Sequence, residues 1–107
     1  MLKSTGVKKI KIAVFISGKG TNFKNLIQYS LKEKSKFKIK LVVSNNLNAK
    51  GLEYAKKFKI KKKIINYKNL KNSEIRILND LNKENINIIC LAGFMKILTA
   101  NFIKKLK

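Results

Sequence analysis

The chain has 107 residues, 26 Lys and Arg against 5 Asp and Glu, a formal charge of +21, one Cys, and no His, Pro or Trp. That length accommodates one domain, and 45% apolar residues suffice for a packed core despite the charge. The lack of His excludes His-dependent triads and the commonest zinc sites, a lone Cys90 excludes an intrachain disulfide, and no apolar run reaches the roughly 18 residues that cross a membrane.

A single thiol fits a reducing, cytoplasmic setting. The basic start, residues 1–9, runs into alternating Lys and apolar residues, not into the unbroken apolar segment of a signal peptide. Two readings of the charge stand. Clustered Lys would bind a phosphate-rich partner by counterion release, which describes a small Lys-rich nucleic-acid-binding protein. Alternatively the composition has drifted toward A- and T-rich codons, since the chain carries 25 Lys, 15 Ile and 13 Asn but one Arg, Arg76. Selection for phosphate or base recognition would keep Arg for its planar fork, and the Lys are spread along the whole chain, so drift is favoured and no specific nucleic-acid partner is expected.

In chain order, residues 8–17 begin with alternation and end in a solid apolar run before Gly18-Lys19-Gly20, the pattern of a buried parallel strand meeting a turn. Thr21 or Asn22 can then cap a helix to about Leu31, with Phe23, Leu26, Ile27 and Leu31 on one face. Residues 37–44 read as a second strand, Asn45-Asn46-Leu47-Asn48 as a turn, and residues 49–58 as a helix buried through Leu52, Ala55 and Phe58. Ile64-Ile65 mark a short third strand. Ser73 caps a longer helix with the stripe Ile77, Leu78 and Leu81, and residues 86–92 make a fully buried fourth strand ending at Gly93. A last short helix covers residues 99–105. Strands alternating with helices predict an α/β fold, a parallel sheet of about four strands with helices on both faces.

In such sheets ligands bind beyond the carboxyl ends of the strands. The turn Ser17-Gly18-Lys19-Gly20-Thr21-Asn22 offers two glycines, a hydroxyl and an amide at a helix start, where free N–H groups favour a phosphate. It lacks the spacing of a P-loop and the third glycine of a dinucleotide fingerprint, and Gly18 and Gly20 could serve only to turn the chain. Residues 91–98 are apolar except for Lys96, which suits either a pocket for a flat ligand or core closure beneath the last helix. In strand order 3-2-1-4 the two segments would flank one crevice. Cys90 reads as a core residue, and the five acids, Glu33, Glu53, Glu74, Asp80 and Glu84, as solvated helix residues with no pair placed for acid–base work.

Ile16-Ser17-Gly18-Lys19-Gly20-Thr21-Asn22, then Val42-Val43-Ser44-Asn45 and Ala49-Lys50-Gly51-Leu52-Glu53-Tyr54-Ala55, and last Leu91-Ala92-Gly93-Phe94-Met95-Lys96-Ile97-Leu98, together resemble the phosphoribosylglycinamide formyltransferase family. The resemblance implies a Rossmann-like formyltransferase fold in which residues 1–107 are the N-terminal part of a single domain, cut off before its catalytic half. It implies transfer of a formyl group from 10-formyltetrahydrofolate to the amine of 5-phosphoribosylglycinamide in purine (IMP) biosynthesis, without a metal or a membrane. By the same resemblance, Gly20, Thr21 and Asn22 would hold the substrate's 5-phosphate, and Met95, Lys96, Ile97 and Leu98 would line the folate site. A further basic contact to the folate falls near Ser73 and Lys71. The family's Asn-x-His segment and later Asp, which stabilise the tetrahedral oxyanion and move protons, are expected beyond Lys107. A chain with no His is therefore expected to be inactive alone, and a C-terminal half or a second copy is expected as partner.

Overall fold

The computed structural model describes residues 9–18, 20–32, 34–94, 102, 103 and 105. Four strands, β1 (Ile10–Ile16), β2 (Phe37–Ser44), β3 (Lys61–Ile64) and β4 (Ile88–Leu91), form one parallel sheet in the order β3-β2-β1-β4. Helices α1 (Thr21–Ser30) and α2 (Gly51–Lys57) cover one face, and α3 (Leu70–Lys83), entered through a 3-10 turn at Tyr67–Asn69, covers the other. The α/β class, strand number and two-sided cover are those the alternation predicts.

β1 sits between two strands and two helical layers, so its residues are sorted by face. Ile12, Val14 and Ile16 pack with Phe23, Ile27, Val42, Leu52 and Ala55 beneath α1 and α2. Ala13 and Phe15 pack with Leu41, Val43, Ile77, Leu81 and Phe102 on the α3 side. Each fully buried side chain of this size contributes roughly 1.5–3 kcal/mol relative to exposure. β2 does not keep a simple alternation. Ile12 faces Ile39 but Ala13 faces Leu41, so Lys40 is an extra residue that switches Leu41 to the α3 face, although it lies two residues from Ile39.

Five expectations change. Neither Thr21 nor Asn22 caps α1, because Gly20 takes the cap position with φ 78 and Thr21 is already helical. Leu31 follows the helix and is 65% exposed, so the buried face of α1 ends at Ile27. The third strand is Lys61–Ile64, not Ile64-Ile65, and Ile65 is a buried residue just beyond it. Ser73 lies inside α3, where its hydroxyl accepts the backbone N–H of Asn66 at 3.0 Å, while the side chain of Asn66 caps the 3-10 turn. Finally β4 is only four residues long and is not fully buried. Among the described residues it pairs with β1 alone, and Ile88 and Leu91 are 47% and 60% exposed. The predicted last helix lies largely outside the described residues, of which 102 and 103 are helical.

Candidate functional site

β1 delivers the chain to the carboxyl end of the sheet at Ser17. The Ser17 hydroxyl donates to Asn45 Oδ1 at 2.5 Å, which ties the end of β1 to the end of β2. Ser44 and Asn46 then shape the loop into α2, with the Asn46 N–H donating to Ser44 Oγ at 3.0 Å and the Asn48 N–H to Asn46 Oδ1 at 2.9 Å.

Gly20 turns the chain into α1 through a left-handed conformation, which residues with a Cβ adopt at a cost. Space forbids a Cβ as well: one built on Gly20 would lie 2.5 Å from the Cα of Gly51. The two backbones therefore touch, and the Gly51 N–H reaches the Gly18 carbonyl at 3.5 Å. Gly51 is a site-shaping residue that sequence reasoning missed. Its signal was a glycine at the start of a helix, where Gly is a poor helix former and needs another reason. Tyr54, one turn further along α2, comes within 3.6 Å of the same point and lies under Lys24, whose ammonium sits 5.6 Å from the ring centroid.

The first helical hydrogen bond of α1 runs from the Lys24 N–H to the Gly20 carbonyl at 2.8 Å. The N–H groups of Thr21, Asn22 and Phe23 precede it and have no partner within the helix. No side chain caps them and no acid lies in the first turn. This is an opening for an anion, which a helix N-terminus favours by about 0.3–1 kcal/mol, and up to about 2 where partly buried. Thr21 and Asn22 themselves are exposed.

Strand order brings the end of β4 next to this turn. The Ala92 N–H donates to the Phe15 carbonyl at 2.9 Å, extending the ladder one residue past β4. Between α1 and β4 lies a cleft of about 390 Å³ lined by Asn22, Asn25, Leu26, Cys90, Leu91 and Ala92. The glycine turn and the segment after β4 thus flank one crevice, as the order 3-2-1-4 predicts. Gly93 follows with φ 77 and, among the described residues, nothing within 4 Å of where a Cβ would sit, and Phe94 packs edge-on to Phe15 with centroids 5.4 Å apart. Met95, Lys96, Ile97 and Leu98 lie outside the described residues. Cys90 is half-buried, packed against the α1 and α2 core and lining the cleft, so it is not wholly a core residue.

The acids among the described residues are elsewhere, and they are not all solvated. Glu74 is buried, and Asp80 on α3 and Glu84 just after it bind Lys61 and Lys63 on the opposite edge strand β3 and Lys40 on β2. None lines the cleft. Among the described residues no three His, Cys, Asp or Glu side chains gather as metal ligands, and no helix is long and apolar enough to cross a membrane. A second cavity, of about 230 Å³, lies under α3 at the amino end of β4, away from the strand ends where this sheet type binds ligands.

Residues 10–107 match the model of the formyl transferase family. The chain belongs to that family. Within it, this formyl transferase chain is 38% identical over 98 residues to phosphoribosylglycinamide formyltransferase of Haemophilus influenzae, a match covering 89% of this chain and 46% of that protein. It is 41% identical over 100 residues to the trifunctional purine biosynthetic protein adenosine-3 of Gallus gallus, covering 91% of this chain and 10% of that one. The crystal structure of phosphoribosylglycinamide formyltransferase from Anaplasma phagocytophilum superposes with a TM-score of 0.82 at 34% identity, covering 91% of this chain and 46% of that chain. That from Brucella melitensis superposes with a TM-score of 0.83 at 32% identity, covering 90% and 52%. The chain thus spans about half the length of the single-function relatives and a tenth of the trifunctional one.

Proposed function

We propose that this chain is the substrate-binding portion of a phosphoribosylglycinamide formyltransferase, acting in the cytoplasm in purine (IMP) biosynthesis. Residues 1–107 form the N-terminal part of a single formyltransferase domain. The observation that carries the reading is the left-handed Gly20 packed on Gly51, which leaves the first N–H groups of α1 uncapped beside a cleft completed by β4.

In this reading the backbone of Gly20, Thr21 and Asn22 holds the 5-phosphate of 5-phosphoribosylglycinamide, and the rest of the substrate extends over the cleft. The apolar side chains of Leu91 and Ala92 at the cleft and the open space at Gly93 suit a flat, apolar-faced ligand next to them. Met95, Lys96, Ile97 and Leu98 would hold 10-formyltetrahydrofolate, which supplies the formyl group when bound, and no metal takes part. With no His in the chain and, among the described residues, no carboxylate lining the cleft, these residues bind and orient. The groups that move protons come from a C-terminal half, continuous with the chain or added in trans.

Titration calorimetry with 5-phosphoribosylglycinamide at 0.15 M salt tests the reading. Saturable binding is expected, with Thr21→Asp weakening it at least tenfold by placing a negative charge at the phosphate. Asp favours a helix N-terminus, so that variant keeps α1 intact. Undiminished binding by Thr21→Asp, or no binding of the ribonucleotide alongside salt-sensitive binding of arbitrary duplex DNA, would sink it.

A further inference from the structure

The end of the sheet opposite the glycine turn holds two adjoining cavities, of about 420 Å³ and about 760 Å³, which share Lys9 and Lys38. The larger adds Lys11, Asn85 and Asn87, and the smaller adds Lys59 beside Leu31, Ile39 and Phe58 at the ends of α1 and α2. Among the described residues no Asp or Glu lines either cavity, and none of these four lysines has an ion pair. Lys40, Lys61 and Lys63, by contrast, reach Asp80 or Glu84.

Two local features are unfavourable as they stand. Lys11 and Lys38 lie directly opposite each other in the register of β1 and β2, where like charges destabilise a sheet. Lys59 follows α2 with φ 58, its N–H donating to the Lys56 carbonyl at 3.2 Å while the Ile60 N–H reaches the Ala55 carbonyl at 2.8 Å. That is the position at a helix end where glycine is usual, and a residue with a Cβ adopts it at a cost. The dipole of α2 does not call for a lysine there, because Lys56 and Lys57 already occupy its last turn. Asn87 accepts the Lys11 N–H through its side-chain oxygen at 2.8 Å, which leaves its two amide N–H groups as donors. Four ammonium groups and an amide next to an apolar lining match a ligand with several negative charges at one end and a flat apolar body at the other.

We propose that the amino end of the sheet binds a nucleoside polyphosphate, at a site separate from the glycine turn. The phosphates lie among Lys9, Lys11, Lys38 and Lys59, and the base lies over Leu31, Ile39 and Phe58. The assignment does not depend on what the carboxyl end of the sheet binds. Occupancy offsets the repulsion among the lysines, so the ligand also stabilises the fold.

Titration calorimetry of the full chain with ATP and with inorganic tripolyphosphate, at 0.15 M salt and without divalent metal, tests the site. Both are expected to bind, ATP about tenfold more tightly because of its base, and ATP should raise the melting temperature. Lys38→Gln is expected to weaken both about tenfold, as loss of a charge-assisted contact does, whereas Lys62→Gln on β3, outside the two cavities, should change neither. Lys59→Gly should bind both ligands more weakly and yet melt higher than the parent, since glycine suits φ 58. Saturating 5-phosphoribosylglycinamide should not displace ATP. Equal weakening by Lys38→Gln and Lys62→Gln would reveal diffuse charge attraction and overturn the site, as would undiminished binding by Lys59→Gly. Equal affinity for ATP and tripolyphosphate would overturn the nucleoside assignment, and displacement by the ribonucleotide would place the ligand at the glycine turn instead. A parent that binds neither ligand would overturn the proposal outright.

Discussion

At one edge of the sheet β3 offers Lys61, Lys62 and Lys63 in a row, and at the other β4 offers Ile88, Ile89, Cys90 and Leu91. On the β3 edge two of the three lysines turn under α3, Lys61 to Asp80 at 3.6 Å and Glu84 at 3.3 Å, and Lys63 to Asp80 at 3.6 Å. The charges that hold α3 in place also repel any strand that would add to the sheet there. Among the described residues the β4 edge has no such device, and its exposed Ile88 and Leu91 resemble the side chains of an interior strand. An edge is thus made safe by residue type as well as by position. Among the described residues one edge is charged and the other is apolar.

Exchanging the two edge types should have the largest effect. Replacing all three lysines with valine (Lys61→Val, Lys62→Val and Lys63→Val) strands Asp80, leaves Glu84 with Lys40 alone and leaves two apolar edges. We expect a loss of about 2 kcal/mol, after discounting for the partial exposure of the pairs, with visible aggregation. Urea midpoints with light scattering read both, and a soluble, equally stable variant would break the comparison. Next, Ile88→Lys with Leu91→Lys should give β4 the character of β3. Self-association of the 107-residue chain should fall more than tenfold in sedimentation velocity, about 1.4 kcal/mol or more. A parent that stays monomeric at high concentration would show that the β4 edge is not adhesive.

Asp80→Asn is a smaller change. It removes the partner of Lys63 and one of the two partners of Lys61, and should cost about 1 kcal/mol, a loss that shrinks in 1 M salt as screening weakens the parent's pairs. A salt-independent loss would point to packing instead. Smallest is Lys62→Glu, on the exposed residue whose neighbours turn inward. A shift within about 0.5 kcal/mol is expected in the same denaturation assay, and a larger one would mean that all three lysines act as a unit.

The same contrast explains what the sequence discloses. Residues 37–44 are readable as β2 to the residue, because alternation passes into Leu41-Val42-Val43 and stops at two asparagines. β3 is readable as a strand near Ile64 but not in its bounds, since its inward residues are lysines whose partners lie 17 to 23 residues later in the chain, at Asp80 on α3 and Glu84 just after it. Hydrophobicity identifies β4 as strand-forming but does not say which neighbours cover it, so full burial was the wrong inference. Lys40 shows the same limit, because a bulge changes which face Leu41 occupies without changing its character. At the candidate site, the glycines and hydroxyl of the first turn stand out in the sequence. Gly51 does not, since it matters through a backbone contact that only the fold creates.

The backbone contact between Gly20 and Gly51 has one more consequence. A side chain at position 51 would meet the buried Ile16 side chain and come within 3.4 Å of the Gly20 Cα, so Ile16 would have to repack or α2 shift against the turn, whatever ligand was present. In a saturation-mutagenesis screen, position 51 would therefore score with the binding residues while never meeting the ligand. Its variants would cluster with those of position 20, and a double substitution of the two glycines would be little worse than either alone.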